Sequence, residues 1–232
     1  MSDPNDERQE LLALYNDLRV ADVRDGMDWC MLHFQGSMIP DIRPLWRTRA
    51  VGIARTARYV HYTGEIPKMS PADYTQWVGW YYDNICTYPW VNEIQPGDFI
   101  VIDQSGSNVG LCGSNNTLDV LKRGARGLVS NGGVRDTDEI ILQKIPFWSR
   151  YCSQAMVQAR LQFDTQQIPV QVGGVTVNPG DIVVADGDGV VVVPRQQARD
   201  VAHYAMHELV NDKAARRAKY EAMGMELDDT VK

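Results

Sequence analysis

The segment Gly110–Leu142, GLCGSNNTLDVLKRGARGLVSNGGVRDTDEIIL, decides the fold class of this chain. Within it, Thr117–Arg123 has helical character, and Gly124 is a suitable C-terminal stop for that helix. The run Gly127–Asn131 is typical of a buried strand, and a further helix is predicted to start near Asp136. This strand–helix–strand–helix alternation predicts an α/β domain with a parallel portion in its sheet.

Two helix starts in this segment are predicted to face one cleft, because ligands of such sheets bind beyond the carboxyl ends of the strands. The first helix has either Asn115 or Asn116 as its N-cap, and its start offers free backbone N–H groups to a carboxylate or a phosphate. The residues predicted to bind substrate at this start are Gly113, Ser114, Asn115 and Asn116.

The second helix start places Arg135 and Asp136 at the mouth of the cleft. Arg135 has a planar guanidinium whose paired N–H donors suit a carboxylate or an enolate oxygen, and Asp136 is a candidate ligand for Mg²⁺ or Mn²⁺. A purely structural alternative is that Asp136 and Glu139 form a capping box, while Gly132 and Gly133 serve a turn. Capping does not explain Arg135, because a helix N-terminus disfavours a positive charge.

The remaining apolar patterns add helices at both ends of the chain and strands between them. Helices are predicted at 7–19, 21–32 and 196–223, and a strand at 51–60. The stretches QPGDFIVIDQSGS (95–107) and NPGDIVVADGDGV (178–190) share a Pro-Gly-Asp turn followed by an apolar strand. Strands of the second half are mostly β-branched and separated by turns, which predicts an antiparallel portion beside the parallel one.

The aromatic stretch SPADYTQWVGWYYDNICTYPW begins at Ser70 and holds three of the six tryptophans. Ser70 is a predicted helix N-cap with Pro71 at the first helical position. Trp77, Trp80, Tyr81 and Tyr88 are then expected along one side of this helix and of the turn after it. They either pack in the core or against another subunit, or they form an aromatic wall over a substrate pocket.

Composition and charge exclude several classes of protein. The net charge of −7 and the pI near 5.1 argue against a nucleic-acid surface, and the basic residues of 213–219 fit a solvated helix face. The polar, acidic N-terminus is unlike a signal peptide, and no apolar run approaches the roughly 18 residues of a membrane helix. We therefore expect a cytoplasmic protein without a nucleic-acid or membrane partner.

Other metal-binding patterns in the sequence are weak. The four cysteines have no CxxC spacing, which predicts reduced thiols rather than disulfides or a zinc site. His203 and His207 are four residues apart on the predicted C-terminal helix, and they either bind a metal or face solvent. The stretch DGDG at 186–189 lacks the rest of a calcium-binding EF-hand loop.

The motif RGARGLVSNGGVRDTDEI, followed by IPFWSR and VGGVTVNPGDIVVADGDGVVVVP, resembles the RraA-like family. That family includes the regulator of ribonuclease activity A and the class II 4-hydroxy-4-methyl-2-oxoglutarate aldolases. The earlier segments ADVRDGMD, GSMIPDIRPL and AVGIARTARY fit the same pattern, so the resemblance spans most of the chain.

The resemblance implies an α/β fold of the three-layer β/β/α swivelling type, with mixed parallel and antiparallel sheets plus N- and C-terminal helices. It implies a single domain over residues 1–232, with an aromatic-rich insertion at about 64–92 and a C-terminal helix at about 196–223. It also implies a homotrimer or homohexamer whose active sites lie between subunits.

Roles for individual residues follow from the same resemblance. Arg135 is expected to contact pyruvate or its enolate, and Asp136 to anchor the divalent metal, partly through water. Backbone amides of Asn115 and Asn116 are expected to bind the pyruvyl carboxylate. These roles agree with those inferred above from the two helix starts.

Two positions depart from the family pattern. Ser114 stands where the aldolases have an acidic residue that helps a water act as base, and Asn131 stands where many members have Asp. Retro-aldol cleavage requires removal of a hydroxyl proton, and a serine is a poor base for it. Stabilisation of an enolate by a metal and an arginine is unaffected by these changes.

Three functions are therefore weighed. The first is a metal-dependent lyase, an aldolase or a decarboxylase, that cleaves a small 2-oxo acid through a pyruvate-type enolate. The second is a non-catalytic regulator that binds a ribonuclease. The third is a related hydratase or isomerase of a catabolic pathway, for which the change to Ser114 and the aromatic segment leave room.

Overall fold

A computed structural model describes residues 4–232 and shows three layers around one mixed sheet of nine strands. Helices cover one face of this sheet, and a separate two-stranded hairpin covers the other. The α/β class and the three-layer β/β/α arrangement expected from the sequence are confirmed. Among residues 4–232, no helix combines the length and the apolar character needed to cross a membrane.

The helices are α1 (Pro4–Leu14), α2 (Val20–Trp29), α3 (Pro71–Asn84), α4 (Ser114–Lys122), α5 (Thr137–Leu142) and α6 (Ala198–Met223). The strands are β1 (Arg43–Pro44), β2 (Ala50–His61), β3 (Asp98–Asp103), β4 (Gly110–Cys112), β5 (Gly127–Val134), β6 (Phe147–Cys152), β7 (Leu161–Gln166), β8 (Val170–Val172), β9 (Val175–Val177), β10 (Ile182–Asp186) and β11 (Gly189–Val193). Short 3₁₀ helices occur at Pro89–Glu93 and Arg195–Gln197.

The main sheet has the order β1-β6-β5-β3-β2-β10-β11, with β4 paired to β5 and β7 paired to β2. Its centre is parallel, because β2, β3, β5 and β6 pair in the same direction. Its flanks are antiparallel, where β10 joins β2 and β11, and where β1 joins β6. The predicted parallel and antiparallel portions thus belong to one continuous sheet.

Side chains alternate between the two faces of the sheet, and this alternation builds two cores. On β3, Ile100 and Ile102 join the core beneath the helices, whereas Phe99 and Val101 join the core beneath the β8–β9 hairpin. All four side chains are fully buried. Each such burial contributes about 1.5–3 kcal/mol, so strands in the centre of the sheet are held from both faces.

The first predicted helix is confirmed, but it ends at Leu14 instead of residue 19. Tyr15 and Leu18 are buried as the pattern required, although they lie in the turn that follows. Residues such as Asn and Asp have low helix propensity, so Asn16 and Asp17 favour an end there. The Arg49 guanidinium also holds the turned chain by donating to the carbonyl oxygens of Tyr15 (2.7 Å) and Asn16 (2.6 Å).

The two Pro-Gly-Asp stretches form the same local turn. Gly97 and Gly180 have φ of +90° and +94°, a conformation that favours glycine. In each turn an aspartate accepts a hydrogen bond from a backbone N–H three residues earlier, Asp98 from Gln95 and Asp181 from Asn178, both at 2.8 Å. The strands that follow are β3 and β10, as predicted.

The aromatic segment contains the predicted helix and contributes mainly to the core. Ser70 caps α3 by accepting from the Asp73 N–H. Tyr81 is fully buried, and Tyr88 packs against Tyr59 at a ring distance of 5.9 Å. Trp80 departs from the expected single side, because it is 48% exposed.

Candidate functional site

The predicted cleft residues follow two neighbouring parallel strands. In the pairing of β4 with β5, Gly110 lies opposite Gly133 and Cys112 opposite Val134. Gly113 and Arg135, the next residues of the two strands, therefore emerge at the same edge of the sheet. The two helix starts are side by side, as the sequence predicted.

Asp136 directly connects the two helix starts. Its Oδ2 accepts a hydrogen bond from the Ser114 N–H at 3.2 Å, so the carboxylate neutralises part of the positive end of α4. Asp136 has left-handed backbone angles (φ 55°, ψ 41°), and its side chain makes no capping hydrogen bond to α5. The capping-box alternative with Glu139 is therefore wrong.

The N-cap of α4 is Gly113, so the prediction of Asn115 or Asn116 at that position is wrong. The reason is a close approach, because a Cβ on Gly113 would lie 2.2 Å from Asp136 Oδ2. A side chain at the cap would displace the carboxylate. Asn115 and Asn116 instead occupy the first turn of α4, where backbone N–H groups have no carbonyl partner within the helix.

Arg135 lies across the backbone of Gly110. A Cβ on Gly110 would be 2.8–2.9 Å from Arg135 Cβ, Cγ and Cδ, so only glycine leaves space for this side chain. Arg135 Nε is 3.4 Å from Asp136 Oδ1, and both side chains are about one third exposed (35% and 34%). Gly110 was not among the residues predicted from the sequence, because its role depends on the register of β4 against β5, which no local pattern marks.

The structural alternative in which Gly132 and Gly133 serve a turn is wrong, because both belong to β5. A Cβ on Gly132 would lie 2.6 Å from the Gln104 side chain, and one on Gly133 would lie 2.8 Å from Ser153 Cβ. The register of β5 against β6 shifts between Ser130 and Gly133. These glycines therefore permit close packing at the end of a strand, which local sequence does not distinguish from a turn.

Asn131, the second departure from the family pattern, cross-links three segments. Its Oδ1 accepts from the Gln104 N–H at 2.7 Å, and its Nδ2 donates to Asp103 Oδ1 (2.7 Å) and to Gln171 O (2.9 Å). An ionised aspartate has no donor and could not make the last two bonds. Asparagine is therefore the residue that suits this junction.

The Cys112 thiol, one residue before Gly113, is excluded as a nucleophile. Burial raises the pKa of this thiol to about 12, so it is protonated at neutral pH. All four cysteines are free, and Cys86 is buried as well. The expectation of reduced thiols agrees with this arrangement.

A metal ion at this site would have one carboxylate ligand from the described chain. Residues 4–232 contain no group of three or more His, Cys, Asp and Glu side chains arranged to hold a metal. His203 and His207 lie on the exposed surface of α6 without a third ligand. Asp136 alone suits an ion that keeps most of its waters, as Mg²⁺ usually does.

The Arg135–Asp136 pair is partly buried in the single chain, because about two thirds of each side chain is covered. Five cavities of the described chain are lined by other residues. One lies around residues 34–37, a second lies between Asp25 and Glu208, and a third lies around residues 43–47. The aromatic residues of α3 line none of these five. None of these five cavities encloses the Arg135–Asp136 pair.

Comparison with known proteins places this chain in a family. A family model described as RraA-like: Aldolase/RraA matches residues 20–192. A relative from Halalkalibacterium halodurans, named as a candidate 4-hydroxy-4-methyl-2-oxoglutarate aldolase, is 31% identical over 137 residues, which are 59% of this chain and 65% of that protein. The chain spans less than two thirds of the length of the first curated relatives that it matches.

Solved structures extend the similarity to nearly the whole chain. An uncharacterised protein from Pseudomonas syringae pv. tomato is 28% identical, with a TM-score of 0.73 and 96% coverage of both chains. RraAS2 of Streptomyces coelicolor, described as an unusual member of the RNase ES inhibitor RraA protein family, is 25% identical. Its TM-score is 0.72, over 89% of this chain and 96% of that one.

Proposed function

Starting from the fact that the chain belongs to the RraA-like family, we propose that it is a divalent-metal-dependent carbon–carbon lyase for a small 2-oxo acid. The reaction is an aldol cleavage or a decarboxylation that passes through a pyruvate-type enolate. One observation carries the proposal: Arg135, Asp136 and the amide end of α4 meet at one edge of the sheet, with the Ser114 N–H 3.2 Å from Asp136 Oδ2.

The residues of the site have separate tasks in this proposal. The first-turn amides of Asn115 and Asn116 bind the substrate carboxylate, which the positive end of α4 attracts. The Arg135 guanidinium donates to the oxygen that gains negative charge when the carbon–carbon bond breaks. Loss of one such preorganised donor typically costs about 2.7–4 kcal/mol of transition-state stabilisation.

Asp136 would hold the metal, Mg²⁺ or Mn²⁺. Its donor set fits an ion coordinated largely by water and substrate oxygens, because one carboxylate is available and it is one third exposed. When bound, such an ion supplies Lewis-acid stabilisation of the enolate oxygen. The contact with the Ser114 N–H orients the carboxylate for this task.

Ser114 bears on the choice between the two lyase reactions. Aldol cleavage begins with removal of a hydroxyl proton, and the Ser114 hydroxyl is too weak a base for that step. Decarboxylation of a 2-oxo acid such as oxaloacetate releases CO₂ without prior proton removal, and the enolate is protonated afterwards. The serine therefore favours decarboxylation, unless a second subunit of a trimer or hexamer contributes the base.

The test is a panel of 2-oxo acids with Mg²⁺ or Mn²⁺, in which pyruvate release is coupled to lactate dehydrogenase. Arg135→Ala and Asp136→Ala should each abolish pyruvate release while the oligomer stays intact on size-exclusion chromatography. The matched control variants are Arg58→Ala and Asp164→Ala. These two side chains form an ion pair of 2.6 Å between β2 and β7 and are similarly exposed (40% and 34%). Full activity of both site variants, or equal losses in the control variants, would refute the proposal.

A second candidate is a ribonuclease-binding regulator, favoured by the similarity to RraAS2 over most of the chain. Such binding needs no metal and need not involve Arg135. Co-purification with a ribonuclease in the presence of EDTA, together with inactivity on every 2-oxo acid, would select this function. Conversion of a hydroxy or enol acid without carbon–carbon cleavage would instead select a hydratase or isomerase.

A further inference from the structure

We propose that a cavity between Arg43 and Arg47 is a second ligand site, which binds a small organic dianion of the dicarboxylate class. The cavity has a volume of about 350 Å³ and is lined by residues 43–47 and Gly187. This volume lies within the range of small-molecule pockets. The inference is independent of the lyase proposal, because it concerns other residues at another part of the sheet.

The cavity lies at the edge of the sheet opposite to Arg135. Trp46 Nε1 donates to Ile145 O at 2.8 Å, immediately before β6 begins, whereas Arg135 follows the end of β5. Leu128 of β5 pairs with Phe147 at the start of β6. Arg43 lies opposite Ser149, which pairs with Ser130 of β5, and at about 3.3 Å per residue the strand from Ser130 to Arg135 spans on the order of 15 Å. One small ligand cannot occupy both sites.

Neither arginine of the cavity has an acceptor on the protein within residues 4–232. Most arginines of the described residues donate to a carboxylate or a carbonyl oxygen, as Arg55 Nε does to Asp98 Oδ2 at 2.7 Å. Arg43, Arg47 and Arg126 make no side-chain hydrogen bond or ion pair with any described residue. Two of these three guanidinium groups line one cavity, where their charges add and attract an anion.

The backbone that carries the two arginines is fixed by its neighbours. Arg43 lies in β1 opposite Ser149 of β6, and the Leu45 N–H donates to Phe147 O at 3.0 Å. The Trp46 indole is anchored by its bond to Ile145 O. A ligand therefore meets two donors on an ordered frame, which lowers the entropic cost of binding.

The β10–β11 turn leaves room for Arg47 and forms no hydrogen bond or ion pair with its guanidinium. A Cβ on Gly187 would lie 2.2 Å from Arg47 Nη1, so a side chain there would displace the guanidinium. Asp186 is occupied elsewhere, since its oxygens accept from the backbone N–H groups of Val20 (2.9 Å) and Asp188 (2.8 Å). Gly187 of the DGDG stretch thus forms part of the wall of this cavity.

The chemistry of the lining selects the ligand. Each guanidinium matches a carboxylate with two parallel N–H donors, so two arginines suit a molecule with a carboxylate at each end. Leu45 and Trp46 also line the cavity, beside the short carbon chain that would join the two carboxylates of such a ligand. A monocarboxylate satisfies only one arginine and should bind more weakly.

The test is isothermal titration calorimetry of the full chain at low ionic strength, with malonate, succinate, inorganic phosphate and acetate as probes. Wild type should bind at least one dicarboxylate saturably and acetate much more weakly. Arg43→Ala and Arg47→Ala should each weaken that binding about tenfold or more, because each removes charge-assisted hydrogen bonds of about 1.5–3 kcal/mol. Gly187→Ala should weaken it while both arginines remain.

The matched control is Arg126→Ala, which removes an arginine that also lacks a partner but lies outside this cavity. The affinity of this variant for the dicarboxylate should stay within about twofold of wild type, a free-energy change well below that of losing one charge-assisted hydrogen bond. Arg135→Ala should also keep the affinity, which separates this site from the lyase proposal. Thermal unfolding of each variant verifies that it is folded. The proposal is overturned if wild type binds no dicarboxylate saturably, if it binds phosphate alone, or if R43A/R47A binds as wild type does.

Discussion

Gly113→Ala tests whether the position of the Asp136 carboxylate governs activity. The new Cβ would lie 2.2 Å from Asp136 Oδ2, so the carboxylate must retreat by more than about 1 Å to reach an ordinary contact. Gly113 has extended backbone angles (φ −121°, ψ −173°), which alanine also adopts. The substitution therefore moves the neighbouring side chain without straining its own backbone.

The expected losses differ in size for stability and for catalysis. Weakening the bond from the Ser114 N–H and replacing a glycine cap together cost about 1–2 kcal/mol, because water reaches the partly exposed carboxylate. A domain of this size loses about 2–4 °C in Tm per kcal/mol. Misplacing a catalytic group by about 1 Å costs about 10²-fold in rate. We therefore expect kcat to fall far more than stability.

The assay is lactate-dehydrogenase-coupled pyruvate release from the best 2-oxo acid of the panel, together with thermal unfolding. Gly79→Ala is the matched control, because Gly79 lies on the exposed side of α3 and a Cβ there would meet no atom within 4 Å. It should keep wild-type activity. A wild-type kcat in Gly113→Ala, or an equal loss in Gly79→Ala, would show that the carboxylate position does not matter.

Three further outcomes are expected. Asp98→Asn should lower the free energy of unfolding by about 3–5 kcal/mol in urea titrations. The reason is that Arg8 Nη2 (2.5 Å from Asp98 Oδ1) and the buried Arg55 Nε (2.7 Å from Asp98 Oδ2) lose their carboxylate. A loss under about 1 kcal/mol would contradict this. The free energy of unfolding should fall as the pH rises from about 9 to about 12, since burial raises the pKa of the Cys112 thiol to about 12 and the unfolded thiol ionises first. Burial also raises the pKa of the Cys86 thiol to about 12, so Cys112→Ala should make the decline shallower without removing it. An unchanged slope in Cys112→Ala would argue against this account. EDTA should abolish pyruvate release and Mg²⁺ or Mn²⁺ should restore it in wild type but not in Asp136→Ala; activity that survives exhaustive chelation would exclude a metal at that carboxylate.

Much of the fold follows from local patterns in the sequence. The alternation over Gly110–Leu142 indicated α/β, and the Pro-Gly-Asp turns located β3 and β10. Both features depend on residues a few positions apart, so short-range sterics and apolar periodicity suffice. Where the local signal was ambiguous, alternatives stayed open, as at Gly132 and Gly133. The turn alternative there is wrong, and the sequence could not exclude it because a glycine that relieves a tertiary contact looks the same as one that permits a turn.

The candidate site shows the same division. The sequence pointed to Arg135 and Asp136 as a pair near the start of α4, and their catalytic and metal-binding roles stay predictions. It assigned the cap of that helix to an asparagine and the Asp136 side chain, in one reading, to its own helix. Both assignments used neighbours in the chain, whereas the Ser114 N–H that Asp136 contacts lies 22 residues away.

The amino-acid sequence by itself therefore determined the main helices and the central strands of the sheet, and which charged residues follow a strand. Only the tertiary structure decided that the Asp136 carboxylate accepts from the first turn of α4 and that the Arg135 side chain packs on Gly110. It also decided that Arg43 and Arg47 line one cavity with Gly187. The physical reason is that these contacts depend on strand register and on backbone angles such as the left-handed Asp136. Those are fixed by packing across the whole sheet, which no single stretch of sequence specifies.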